Sequence, residues 1–226
     1  MELGQAIRQT GAVRSFTAEA VDDVTLAAVL DDARFAPSGG NRQGWRVVVV
    51  EDASIRRQLA EAMQPVWNEY VAESATGKTP FNVVDAAPHQ LDSGRAAAPV
   101  PNPLLDGIAD IPVVLVVAAD LAKVAMMDKD LDRAALTGGA SIYPFCWNLL
   151  LAARSRGLGG VMTTFLSRAE PVIAPVLGLP STYALAATIF LGHPVHQPTK
   201  LKRAGVAEFT TVDRFDGPAF GIAADG

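Results

Sequence analysis

The chain has 226 residues, of which 50% are hydrophobic and only 19% charged, with a formal net charge of −5. That much apolar surface excludes general disorder, and the negative balance excludes a nucleic-acid binder that works by bulk electrostatics. One cysteine and three histidines exclude an internal disulfide and a cysteine-built metal cage, so no metal site is expected.

The N-terminus, Met1-Glu2-Leu3-Gly4, lacks the basic start and apolar run of a signal peptide. Apolar runs such as Val113–Ala119 fall short of the ~18 residues of a membrane span. A soluble, reduced, cytoplasmic protein is expected, without membrane or nucleic-acid partners. The charge is low against a norm of ~25%, which points to surface hidden by a partner subunit or a cofactor pocket.

Asp22 to Phe35 reads as a helix capped by Asp22, with Val21, Val24, Ala28 and Ala33 near one face. Pro37 to Gly40 ends it. Trp45 to Val50 is a β-branched apolar run and reads as a buried strand. Asp52 to Met63 reads as a second helix on the spacing of Ile55, Leu59 and Met63. Ala86 to Pro103 carries prolines at 88, 99, 101 and 103 and almost no large apolar residue, and the excursion it belongs to is bounded at about Gln64 and Asp110. The excursion, a possible lid, departs from a single domain spanning 1–226.

Ile111 to Ala119 reads as a second buried strand, and Thr137 to Arg156 as a long helix, apolar nearly all round. Such a helix sits deep in a core or at a subunit interface. Arg168 to Val176 is a short helix, and Tyr183 to Leu191 a third buried strand. The order lacks a regular strand–helix–strand repeat, which favours α+β over a doubly wound sheet.

Two phosphate-loop patterns fail. Ala72 to Thr79 lacks the first glycine and a preceding strand, and reads as a polar turn. Gly157 to Met162 follows a helix instead of a strand, so its glycines read as a helix cap. His193 and His196 are separated by Pro194 and read as loop residues. Cys146 reads as an inert core thiol.

Three stretches carry cations: Ala12 to Phe16, Ala36 to Trp45 and Lys200 to Arg203. A phosphate calls for such groups, because charge-assisted hydrogen bonds are stronger than neutral ones. Each alone has a plain reading, as a basic tail or a helix-to-strand turn. Together and in this order they resemble the nitroreductase family of flavin enzymes. Ala36, Pro37, Ser38, Asn41, Gln43 and Trp45 match that family's second box, with Gly44 in place of proline. Asn148 to Ala153 with Arg156 to Gly159, and Leu191 to Pro194, match later boxes. The likeness covers almost the whole chain except the excursion.

The resemblance implies an α+β fold: a mixed, mainly antiparallel sheet flanked by helices in an intertwined homodimer, with FMN at the subunit interface. Arg14 would lie near the flavin pyrimidine edge or ribityl chain. Ser38 and Asn41 would hydrogen-bond the cofactor, with Ser15, Pro37, Gly39 and Gln43 among its contacts. Lys200, Lys202 or Arg203 would meet the phosphate, and backbone at Thr163, Thr164 and Phe165 would approach flavin N5. The family's leading Arg and Ser in the first box are replaced by Thr10 and Ala12. Phosphate binding then rests on the C-terminal cluster, or on Arg8 as a substitute, and a deazaflavin is the alternative ligand.

The implied reaction passes electrons from NADPH or NADH through FMN to nitroaromatic, quinone or similar acceptors in a ping-pong cycle. No catalytic side chain is required, because the cofactor carries the chemistry. Tyr143, Phe145, Trp147 and the excursion are candidates for a flat apolar acceptor pocket, with core packing as the plain reading of the three aromatics. Trp45 reads as packing. The alternatives are specialised flavin chemistry, such as dehalogenation or dehydrogenation, and a non-catalytic flavin-binding protein.

Overall fold

The computed structural model describes residues 1–84 and 98–221. Helix α1 covers Leu3–Gln9 and α2 covers Asp23–Ala33. The Asp22 carboxylate caps α2, accepting from the Thr25 N–H at 2.8 Å. Its buried stripe is Leu26, Val29 and Ala33, whereas Val24 is exposed. The face expected from sequence is therefore rotated.

Strand β1, Trp45–Val49, is followed by α3, Ala53–Ala75. This helix of 23 residues runs through Pro65 and twelve residues past Met63. A proline inside a helix removes one hydrogen bond and crowds the preceding turn. Here burial of Met63, Val66, Asn68 and Glu69 along one side outweighs that cost. Helix α4, Pro103–Asp106, buries Leu104 and Leu105, and Ile108 follows into the core. Both flanks of the 64–110 stretch thus belong to the packed body. Its centre, 85–97, lies outside the described residues.

Strand β2 spans Val113–Asp120. Helix α5 is Tyr143–Ser155, shorter than expected, because residues 137–141 form a separate 3-10 turn and Pro144 sits in the first turn of the helix proper. Gly157, at φ +81°, ends it in a left-handed cap. Strand β3, Gly159–Thr163, follows immediately where sequence reading placed only that cap. Helices α6 (Phe165–Arg168) and α7 (Glu170–Leu177), strand β4 (Tyr183–Gly192) and the short α8 (Val206–Phe209) complete the described chain.

The sheet order is β1-β2-β4-β3, and each pairing is antiparallel. Successive side chains of a strand face opposite sides. Leu115, Val117, Ile189 and Leu191 therefore join α2 and α5 in one core layer. Val114, Val116, Phe190 and Leu185 join α3, α4, α6 and α7 in the other. Each large side chain so buried contributes about 1.5–3 kcal/mol. β1 has one neighbour, and Val48 and Val49 are 37% and 40% exposed. It is an edge strand, not the buried strand expected, because an apolar run does not specify how many neighbours a strand will have. Cys146 is fully buried, and desolvation pushes its thiol up to about 12.

One buried polar cluster ties α3 to the end of β1 and to the chain that enters β2. The Arg56 guanidinium donates to the carbonyls of Val50 (2.8 Å), Ala109 (3.1 Å), Ile111 (2.6 Å) and Pro112 (3.4 Å). Burial pulls its pKa below the usual arginine value, opposed by the charge of Glu51. Among the described residues no helix is long and apolar enough to cross a membrane.

Candidate functional site

The first box, residues 11–17, runs beside β3 and the chain that leaves β4. Val13 N–H donates to the Gly160 carbonyl at 2.9 Å, and Thr17 N–H to that of His193 at 2.8 Å. Val195 N–H donates back to the Ser15 carbonyl at 3.1 Å, and Gly11 N–H to that of Pro198 at 3.3 Å. Glycine is required at 159, because a Cβ there would lie 2.6 Å from Val13 Cγ2. The close approach is what lets an irregular segment follow a strand.

Arg14 and Ser15 are thereby joined to the segment that ends in Lys200, Lys202 and Arg203. A concavity of about 300 Å³ lies between Arg14, Ser15, His196 and Pro198. Among the described residues none of Arg14, Lys200, Lys202 and Arg203 is paired with a carboxylate, and all four are exposed. Of the four, Arg14 lines the concavity and the others follow on the adjoining segment; an unpaired cation there suits an anionic group.

At the far end of β3 the hydroxyls of Thr163, Ser167 and Thr188 are buried without a hydrogen-bond partner. Thr163 and Thr188 are opposed in the β3–β4 ladder. Buried polar groups are normally paired, so a cluster of three orphans at one strand end suits a ligand with polar ring atoms. β3 stops at Thr163 whereas β4 starts five residues before Thr188, leaving an open flank. Ser167 is in the wall of a cavity of about 600 Å³, together with Tyr70, Phe81, Tyr143, Thr164, Phe165 and Arg168; Thr163 and Thr188 lie behind that wall. Tyr143 is the one of the three aromatic candidates that lines the cavity. Phe145 is buried and stacks on Trp45 at 4.9 Å. Trp147 is exposed on α5.

Tyr70 and Phe81 belong to the 64–110 stretch that the sequence offered as a pocket candidate, though neither is marked there individually, and Arg168 carries no such signal. The signal for Tyr70 is the continued helical spacing Met63, Val66, Trp67, Tyr70, hidden by Pro65.

The second box lies elsewhere. Ser38 Oγ accepts from Gln43 N–H at 2.9 Å, and Asn41 Oδ1 from Gln43 Nε2 at 3.2 Å. Gly40, Asn41 and Gln43 all have φ between 50° and 60°. Left-handed backbone outside glycine costs energy and collects at functional loops. Gly39 N–H is anchored to Ser141 Oγ at 3.1 Å. Pro37, Gly39, Asn41 and Gln43 remain exposed.

The ladder places this loop far from the first box. Trp45 is level with Ala119 and so with Ala184, whereas Gly160 pairs with Leu191. Along β4 that is roughly 23 Å, and across three strand spacings about 14 Å. The chain thus gathers Arg14, Ser15 and the C-terminal cations at one end of the sheet. It leaves Pro37, Ser38, Gly39, Asn41 and Gln43 at the other.

The loop before Ser141 is held by Asp128, which is 4% exposed. Its carboxylate accepts from Thr137 Oγ1 (2.6 Å), Leu136 N–H (2.8 Å), Arg133 Nη1 (2.6 Å) and Thr137 N–H (3.1 Å). These bonds, that from the Thr137 hydroxyl first, hold its pKa far below the usual carboxylate range. A depressed folded pKa stabilises above the unfolded value of ~3.9 and is lost as pH falls toward the folded one. Asp128→Asn should therefore lower the thermal midpoint by a constant amount above about pH 5, and by progressively less below about pH 4. Melting curves from pH 2 to 7 check this, and a pH-independent difference would contradict it.

The nitroreductase family model matches residues 7–193. A 5,6-dimethylbenzimidazole synthase of Rhodospirillum rubrum is 28% identical over 198 residues, 85% of this chain and 83% of that protein. An NADH dehydrogenase of Thermus thermophilus is 30% identical over 185 residues, 82% and 83% of the two chains. A solved iodotyrosine deiodinase bound to FMN and 3-iodo-L-tyrosine is similar in structure, with TM-score 0.63 and 25% identity, over 91% of this chain and 96% of that one.

Proposed function

The chain belongs to the nitroreductase family, and from that premise we propose that it is an FMN-dependent oxidoreductase passing electrons from NADPH or NADH to a small aromatic acceptor, as a homodimer. The observation that carries this reading is the alignment of two features along β3. A concavity lined by the unpaired Arg14 lies at one end, and at the other are three orphaned hydroxyls, of which that of Ser167 belongs to the wall of an open aromatic cavity. A phosphate at the first and a polar-edged ring system at the second match the two ends of a flavin mononucleotide.

FMN, when bound, supplies the two-electron chemistry. Arg14, with Lys200, Lys202 or Arg203 from the adjoining segment, would balance the phosphate charge. The Ser167 hydroxyl and backbone at Thr163, Thr164 and Phe165 would hold the polar ring edge. The aromatic walls of the cavity exclude water from the reacting face. Arg56 and Asp128 stand outside these contacts and hold the scaffold.

Separation and exposure support the dimer. Ser38, Asn41 and Gln43 can reach a flavin seated at the first box only from a second protomer. The single chain also leaves Val48 and Val49 on an open strand edge. Leu3, Ile7, Trp147, Phe209, Phe215 and Phe220 are exposed as well. Burying such side chains in a dimer would account for the low charge of the chain.

Specialised flavin chemistry is the second reading, favoured by the similarity to a 5,6-dimethylbenzimidazole synthase. Titration with FMN followed by anaerobic NADPH or NADH decides first. The bound flavin should bleach with at least one donor. No retained FMN would overturn both readings, and persistent colour with both donors would favour a binding protein. Arg14→Ala should raise the FMN Kd about tenfold, the worth of one charge-assisted hydrogen bond. An unchanged Kd would remove Arg14 from the site.

A further inference from the structure

One wall of the cavity beside Thr164 is held in an unfavourable backbone conformation. Phe81 has φ +55°, in the left-handed region where a bulky side chain is an outlier. Such a residue persists only where its surroundings over-determine it. Its N–H donates to Glu73 Oε2 at 2.7 Å. The Arg168 guanidinium lies 4.9 Å from its ring centroid, and the Tyr70 ring is 6.4 Å away at 45°. Arg168 is itself fixed by two bonds to the Glu69 carboxylate, at 3.0 and 3.1 Å.

The other walls are rings as well. Phe165 meets Tyr70 at 5.6 Å and 69°, and Trp67 backs Tyr70 in a stack at 5.5 Å. The cavity of about 600 Å³ therefore opens between ring faces set at steep angles. A carboxylated ligand would find the Arg168 charge already balanced by Glu69. An uncharged planar ligand would find a preformed plate, with no side chain to order on binding.

We propose that Phe81 is a specificity-determining residue of the acceptor site, its ring held by the strained turn so that an uncharged planar aromatic acceptor stacks against it. This rests on the flavin reading above, which is what makes the cavity an acceptor site. The turn matters as much as the ring. A relaxed Phe81 would point elsewhere, and the Glu73 tether and the Arg168 contact are what offset the strain.

The test uses the full-length FMN-loaded protein and the variants Phe81→Gly, Phe81→Leu and Phe81→Tyr. Glycine tolerates the left-handed turn, so Phe81→Gly removes the ring while relieving the backbone, and a melting curve confirms that it folds. The readout is kcat/KM for 1,4-naphthoquinone divided by that for ferricyanide, an acceptor with no ring to stack. The ratio should fall about three- to tenfold in Phe81→Gly and Phe81→Leu, the worth of one aromatic pair, chiefly through KM for naphthoquinone. Phe81→Tyr should restore it. A ratio within twofold of the native value in folded Phe81→Gly would overturn the proposal.

If the native protein is not reduced by either nicotinamide donor, the flavin reading has failed separately. Phe81 is then read without flavin, by quenching of tryptophan fluorescence with 1,4-naphthoquinone. Weaker quenching in Phe81→Gly supports the stacking role, and equal quenching overturns it.

Discussion

Two crippled chains, refolded together in equal amounts, should recover about a quarter of the native NAD(P)H-driven activity. One chain carries Arg14→Ala, Lys202→Ala and Arg203→Ala. The other carries Asn41→Gly and Gln43→Gly. Glycine is chosen because both positions have positive φ, so the amides are removed while the loop conformation is kept. Each chain alone should lose at least about 99% of activity, since several charged or polar contacts of about 1–3 kcal/mol go at once.

The recovery follows from the register. The first box lies level with Leu191 beside β3, and the second level with Ala184 at the start of β1, the strands at opposite edges of the sheet. If one flavin uses both boxes, each site draws one box from each protomer. A mixed dimer then holds one site with two intact boxes and one with two damaged boxes. Random pairing makes about half the dimers mixed, which yields the quarter. A site contained in one chain would give no recovery on mixing. Activity at the level of the separate chains would therefore remove the shared-site reading while leaving the family assignment intact.

Arg56→Met should cost about 3–5 kcal/mol of folding stability, a large part of the roughly 5–15 kcal/mol a domain of this kind has. Methionine keeps the apolar stem but removes every donor. The carbonyls of Val50, Ala109, Ile111 and Pro112 then lose their partner together, in a place that water reaches poorly because Arg56 is 8% exposed. Arg56→Lys should cost less, because an ammonium offers three donors in place of a planar fork. Urea denaturation at fixed protein concentration checks both. The midpoint should fall with an unchanged slope, and a shift equivalent to under about 1 kcal/mol would show that the carbonyls find other partners. The effect should leave the FMN Kd of the folded protein unaltered, since Arg56 lies outside the flavin contacts.

The elements that sequence reading located well are those whose signal is local. β2 and β4 are uninterrupted apolar runs with turn residues at their ends, and α2 begins at an aspartate that caps it. β3 carries no such run. Its two glycines serve close packing against Val13 and Leu191, which reads in sequence as a helix cap and nothing more. α3 extends past Pro65 because the body supplies a surface for Met63 and Val66, and propensity yields to packing. The misjudged burial of β1 has the same origin, since Trp45–Val49 would read alike in the middle of a sheet or at its edge.

The candidate site divides along the same line. The amino-acid order alone determined which cations, glycines and amides the chain carries, the boxes in which they recur, and the flavin-enzyme family those boxes resemble. Those are properties of residue type and short spacing. Only the tertiary structure decided that Arg14 joins the C-terminal cations while Ser38 and Asn41 are carried to the opposite end of the sheet. It also decided that Phe81 is bent into a cavity wall by Glu73 and Arg168. Strand order and register depend on burying two core layers at once, a condition distributed over residues far apart in sequence, so no local pattern encodes which ends of the boxes meet.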